Sequence, residues 1–398
     1  MTDTPLRILF AAPTWWPSHA FGGPVVAARE LVRRLTARGH DVDVVTTTIV
    51  DLHERPSHRS RIGVVDGAEV RYLATPVRYR WMGITPTLPA ALARLPRPAV
   101  AHVFGFRDPV TTGTALWCRA RGIPYVFEPL GMFRPRLRKI RLKRVLDASL
   151  YRSVARGAAA VVVASENERA DVVACGVSPG RVHVRGNGFP EPANGASDGG
   201  TLRARLGIPA AASVILYVGR VAAGKGIEHL LDAAAEIPEA HVVLVGPDDR
   251  HGVASLVRAA TSAAATAGRV HTLPVTNEPP LDVYLDSDVF VLPSSGESFG
   301  MVAAEAASAG TPVIVSDRCG IASFFADGEA LVVPYDRAAV VDAVKRVLAE
   351  PELRERLARG GPEAARRMTW DRVVDRQEEI YRAVASRTAA TRLSTDGS

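Results

Sequence analysis

Glu297 and Glu305, with seven residues between them, form an acidic pair whose setting suggests chemistry. The apolar run Asp288–Leu292 and the turn Pro293–Gly296 (PSSG) lead into them, and the small residues that follow read as a helix. The free N–H groups of its first turn, around Phe299–Val302, combine with the helix dipole into an anion site. Counted as one helix, eight residues leave the two carboxylates roughly 80° apart in azimuth and about 12 Å apart along the axis. That spacing suits two hydroxyl-bearing groups flanking a phosphate rather than one shared metal, with Glu297 toward a sugar and Glu305 toward a ribose.

Gly219–Gly226 (GRVAAGKG) lies between an apolar strand and an amphipathic helix, so its cations and backbone N–H groups face the same strand ends. It nearly matches the phosphate loop GxxxxGK[ST], but Gly226 stands where a hydroxyl would ligate magnesium. Arg220 and Lys225 therefore read as direct counter-charges for a diphosphate. Asp286 and Asp288 mimic a metal-binding DxD pair, yet they sit where a helix hands over to a strand, and Asp288 reads as a polar strand-start residue. Cys118, Cys175 and Cys319 are scattered and lack metal-ligand spacing. His40, His53 and His58 have no partner cluster and read as surface residues. No metal site and no cofactor are expected.

The elements that must position these groups alternate strand and helix. Leu6–Ala12 reads as a buried strand, and a helix with Val25, Ala28, Leu31, Val32 and Leu35 on one stripe follows it. Further strands are expected at Asp41–Thr47, Ala99–Phe104, Tyr125–Glu128, Ala160–Ala164 and Arg181–Arg185. Residues 190–200 (PEPANGASDGG) form the best linker. A second series follows: Ser213–Val218, a helix from Ile227, His241–Val245, Val270–Leu273, Asp288–Leu292, a helix near Met301, and Pro312–Ser316. This order predicts an α/β chain of two parallel, doubly wound domains, 1–190 and 191–370, with their switch-point crevices face to face.

The 398 residues, 47% hydrophobic and 23% charged, suit two soluble domains. Residues 8–28 lack charge, but their prolines and glycines exclude a membrane helix and fit no signal peptide, so a cytoplasmic location is expected. Net charge is +14 over residues 1–190 and −7 over the rest. The basic half should prefer an anionic partner, with nucleic acid not expected. Arg134, Arg136, Arg138, Lys139, Arg141, Lys143 and Arg144 alternate with Leu137, Ile140 and Leu142, a pattern open to either a peripheral contact with an anionic membrane or a plain solvated face.

Taken together, Glu297 with Glu305, the GR…GKG loop, Gly310–Gly320 (GTPVIVSDRCG), Gly22-Gly23 after the first strand, Asn187-Gly188 and Glu128–Met132 (EPLGM) resemble the retaining glycosyltransferases of family 4. The match runs from about Ile8 to Tyr381. The resemblance implies the GT-B fold, two Rossmann-like domains, with a closing helix (371–387) returning to the first domain ahead of a flexible tail (388–398). It implies a nucleoside-diphosphate-sugar donor, an acceptor that is lipid-linked, glycan or small-molecule, and transfer with retention and no divalent metal. Arg220 and Lys225 would hold the diphosphate. Glu297 would bind the sugar beside Ser298, Phe299, Gly300, Met301 and Val302, and Glu305 the ribose. Gly22 and Gly23 would let the chain approach the phosphate, and His102 would stand near the transferred sugar. Two departures occur: Gly186-Asn187-Gly188 replaces the usual Pro-Asn-Gly, and Leu130-Gly131 replaces a His-Gly on the acceptor side. Two other classes stay open, a P-loop NTPase and a non-catalytic sugar-nucleotide or nucleic-acid binding protein.

Overall fold

The computed structural model describes residues 4–18, 23–51, 54–79, 82–133, 152–189, 201–247, 253–263, 266–274 and 281–396. The chain divides into two compact units, Met1–Gly186 with Trp370–Ser398, and Asn187–Thr369.

The first unit carries strands β1 (Arg7–Ala11), β2 (Asp41–Thr47), β3 (Arg61–Val65), β4 (Ala68–Leu73), β5 (Val77–Tyr79), β6 (Met82–Ile84), β7 (Val100–Phe104), β8 (Tyr125–Glu128), β9 (Ala160–Val163) and β10 (Val182–Val184). Eight of them form one sheet in the order β10-β9-β8-β7-β1-β2-β4-β3, while β5 and β6 pair separately. The central strands β1 and β7 are buried almost throughout because helices cover both faces of a parallel sheet. The helix Gly23–Ala37 buries Val25, Ala28, Leu31, Val32 and Leu35, the stripe the sequence predicted. The sheet order reverses between β1 and β7, which makes their C-terminal ends the unit's switch point. Strand β3 is the one antiparallel member of the eight-stranded sheet, and it was missed in the sequence together with β4, β5 and β6. Its signal was present: Asp66-Gly67, both at positive φ, form the tight turn into β4.

The second unit holds β11 (Ser213–Val218), β12 (Ala240–Val245), β13 (Val270–Leu273), β14 (Val289–Leu292), β15 (Val313–Ser316) and β16 (Leu331–Val333). They form a wholly parallel sheet in the order β13-β12-β11-β14-β15-β16. Here the order reverses between β11 and β14, so the chain leaves these two central strands side by side at their C-terminal ends.

The last helix runs Trp370–Asp396, beyond the 387 limit expected for it. The reason is local: alanines, arginine and leucine favour the helix, and no glycine or proline interrupts it before Gly397. Among the described residues, no helix is long and apolar enough to cross a membrane.

Candidate functional site: a cation loop against a glutamate turn

In the second unit, the loop after β11 and the turn after β14 are built around one another. Gly219, Gly224 and Gly226 all adopt positive φ, which lets Gly219–Gly226 fold tightly over the strand end. Gly224 O accepts from both Ser295 N (2.8 Å) and Ser295 Oγ (2.9 Å), fastening the loop to the turn. A Cβ on Gly226 would lie 2.0 Å from Pro293 O, so this position admits no side chain. That is the physical reason for glycine in place of the serine or threonine of a phosphate loop. Arg220 is exposed, and its carbonyl accepts from the buried Tyr217 hydroxyl at 2.9 Å. Lys225 Nζ donates to Glu297 Oε2, with each side chain about three-quarters buried (25% and 26% exposed).

Glu297 is held by its backbone. Its N–H donates to Arg318 O (3.2 Å), its carbonyl accepts from Gly320 N (3.0 Å), and Phe299 O accepts from Ile321 N (2.8 Å). Residues 297–299 thus run extended beside Arg318–Ile321, with a parallel bridge between Glu297 and Cys319. This corrects the helical count made from sequence: the helix starts only at Met301, after Gly300 in the left-handed region, so the 80° and 12 Å figures do not describe the pair. Phe299 is buried edge-on against Phe324 and anchors the turn. The helix Met301–Ser308 buries Ala303, Ala304, Ala306 and Ala307, which lets it sit close to the helix Pro351–Arg367, where Gly361 meets Ala307. Its first turn opens on Gly300, whose carbonyl accepts from Ala303 N at 2.9 Å, and follows Glu297 along the chain. Glu305, half-buried, accepts from the Tyr284 hydroxyl at 2.6 Å.

Residues 200–364 match the family of glycosyl transferases group 1, and residues 22–188 match the glycosyl transferase 4-like domain. A D-inositol 3-phosphate glycosyltransferase of Thermomonospora curvata is 31% identical over 93% of this chain and 92% of its own length. The chain is a family 4, group 1 glycosyltransferase. Its fold is that of the GT-B glycosyltransferases. Sucrose-phosphate synthase from Thermosynechococcus elongatus superposes with a TM-score of 0.76 at 24% identity, covering 96% of this chain and 99% of the other. Anabaena Alr3699/HepE in complex with UDP gives 0.77 at 16% identity, over 95% and 100%.

In the first unit of this glycosyltransferase, the structure places His102 in a buried polar network. Its ring is fully buried, with Nδ1 2.6 Å from the Tyr381 hydroxyl and Nε2 3.1 Å from Glu128 Oε2, a close contact that is not aligned as a hydrogen bond. Nδ1 and the Tyr381 hydroxyl share a hydrogen bond whose direction follows the imidazole tautomer. Burial pushes the imidazole below its ordinary range against the pull of Glu128. Burial works against the Glu128 carboxylate too, yet Arg185 and His102 together hold it low. Arg185 donates to Glu128 Oε1 (2.8 Å) and to Gln377 Oε1 (2.7 Å). His102 is therefore a member of a buried network that ties the last helix to the first sheet. Sequence reasoning missed this network because its partners lie up to 279 residues apart.

His40 is likewise not a surface residue. It is 5% exposed, accepts from Leu6 N at 3.0 Å, and lies 3.1 Å from Glu378. Asp286 accepts from Leu202 N (2.6 Å), while Asp288 accepts from Val214 N (2.7 Å) and pairs with Arg203 (2.8 Å). Both carboxylates tie the helix Thr201–Leu206 to the sheet. Among the described residues, no group of three or more metal-ligating side chains occurs. Burial pushes the Cys319 thiol up to about 11, which makes it a packing group. Gly23 opens the first helix, and a Cβ there would meet no atom of the described residues within 4 Å. Gly22, His53, the linker 190–200 and the basic run Arg134–Arg144 lie outside the described residues.

Proposed function

We propose that this glycosyltransferase moves a sugar from a nucleoside-diphosphate donor to an acceptor hydroxyl with retention of anomeric configuration and without a divalent metal. The observation that supports the reading is the Lys225–Glu297 ion pair, a cation suited to phosphate against a carboxylate suited to sugar hydroxyls. Glu297, with Ser298 to Val302 around it, would take the sugar. Arg220, Lys225 and the first turn of the Met301–Ser308 helix would face the diphosphate. As the bond from the sugar's anomeric carbon to the β-phosphate oxygen breaks, negative charge grows on that phosphate, and preorganised cations stabilise it where it forms. The acceptor oxygen bonds to the same carbon, and its proton passes to the departing phosphate. Nothing in these steps calls on a metal, since Asp286 and Asp288 already serve the fold.

Similarity supports the donor class: Anabaena Alr3699/HepE was solved with UDP and with UDP-glucose. The acceptor is best read as an anionic, hydroxyl-bearing compound. The +14 charge of residues 1–190 favours it, and the Thermomonospora relative is named for a phosphorylated inositol. Three free cysteines suit the reducing cytoplasm.

The test is a binding and transfer assay with UDP-, GDP- and ADP-sugars in the presence of chelator. Arg220→Ala and Lys225→Ala should each weaken donor use at least about tenfold, or roughly 1.4 kcal/mol. Full activity in both variants, or loss of wild-type activity on chelation and return with manganese, overturns the reading.

A further inference from the structure

Glu305 is oriented by a residue that no motif marks. Tyr284, on the short helix Leu281–Leu285, is 2% exposed, and its hydroxyl donates to Glu305 Oε2 at 2.6 Å. Tyr284 is held at its backbone and at its ring. Its own carbonyl accepts from Thr311 Oγ1 (2.8 Å) and Ser287 N (3.1 Å), and the ring tilts against Phe290 at 6.1 Å. Thr311 lies just past Ala309 and Gly310 at the end of the helix that bears Glu305, so donor and acceptor are tied to the same piece of framework. Burial, with the Glu305 charge beside it, pushes the phenol well above its ordinary range, and it remains an O–H donor at any working pH.

A carboxylate accepts several hydrogen bonds and donates none, and a short bond from a phenol to a charged oxygen is among the stronger kinds. Such a bond fixes the rotation of the carboxylate plane, and with it the direction in which the remaining lone pairs point. We infer that Tyr284 is a positioning residue that sets Glu305 to receive the vicinal hydroxyls of a ribose. This rests on the donor reading above and deepens it by naming what separates a ribonucleotide from its deoxy counterpart. A tyrosine that merely filled space would affect every nucleotide alike. One that aims Glu305 affects only ligands carrying the hydroxyls.

The experiment is calorimetric titration of UDP, ADP and GDP, each against its 2′,3′-dideoxy form, into wild type, Tyr284→Phe, Glu305→Gln and the double variant. Phenylalanine keeps the ring and removes one oxygen, and thermal melts confirm that each variant folds. For the diphosphate that binds, Y284F should lower affinity about five- to tenfold while its dideoxy form stays within about twofold. The double variant should match E305Q, since both remove one interaction. Equal weakening of ribo and dideoxy ligands in Y284F, or an unchanged ribose preference, overturns the assignment and leaves the donor reading standing. If Y284F does not fold, E305Q tests the same contact from its other end, and an undiminished ribose preference there overturns it. Wild type that binds none of the three diphosphates overturns the donor reading and this inference with it.

Discussion

Lys225 answers to two anions. In the free protein its ammonium sits on Glu297, and in the proposed complex a diphosphate competes for it. The two partners are not equally mobile. Glu297 is pinned through its backbone to Arg318 and Gly320, whereas Lys225 hangs on a four-carbon stem from a loop with a glycine on either side. The lysine is the partner that moves. Removing the carboxylate charge should therefore free the cation and also lift the repulsion between Glu297 and phosphate. Glu297→Gln is expected to bind a bare nucleoside diphosphate about three- to tenfold more tightly, or roughly 0.7 to 1.4 kcal/mol. Transfer should fall at the same time, because the amide is a poorer partner for sugar hydroxyls. Titration of the diphosphate alongside a transfer assay checks both halves. Weaker diphosphate binding in E297Q would mean that the glutamate helps the phosphate rather than competing with it.

The Gly219–Gly226 loop shows how an element can be legible in kind and opaque in geometry. The glycines, the cations and the flanking strand and helix could all be read from sequence, because each is a local pattern. The tie between Gly224 and Ser295, or the seating of Gly226 on Pro293, could not, because sequence order does not say that β11 and β14 are neighbours. The extended run at Glu297 escaped for the same reason, since it is set by Cys319 across the turn rather than by its own residues. Strands were legible wherever they were buried on both faces. The exposed β3, with Ile62 and Val64 facing solvent, carried only its turn signal. Gly226→Ala tests the loop's construction. It forces an L residue to φ +72 and sets a methyl group against a carbonyl that is part of the turn. The cost should be on the order of 2 kcal/mol or more, since the left-handed region alone accounts for about 1–2. Scanning calorimetry should show a lower transition temperature, and donor binding should go with it. A variant as stable as wild type would mean that the turn yields easily and that the loop is not fixed as described.

At the scale of the whole chain, the two units differ in how they are closed. The second is one continuous stretch, Asn187–Thr369, and the first is completed by residues from the far end of the sequence, Trp370–Ser398. The last helix contributes Trp370, Val373, Val374, Ile380, Tyr381 and Val384 to the buried core. At about 1.5–3 kcal/mol for each large side chain, that burial is worth on the order of 10 kcal/mol, comparable to the entire stability of a typical domain. The polar contacts add to the dependence. Without the helix, Arg185 loses Gln377, His102 loses Tyr381, and the ion pair of Arg38 with Asp375 (2.6 Å) disappears. His102, Glu128 and Arg185 would then keep their burial costs with fewer partners. A chain ending at Arg367 should consequently lose the first unit as a cooperative fold. The second unit should be spared, because its six strands and their helices lie within 201–367. Calorimetry of the shortened chain should show one transition of roughly half the full-length enthalpy, as the per-residue scaling of unfolding heat requires. A peptide spanning 368–398, added in trans, should restore part of the missing transition by mass action. A shortened chain that keeps the full enthalpy would show that the first sheet closes on its own and that the buried His102 network stabilises nothing essential.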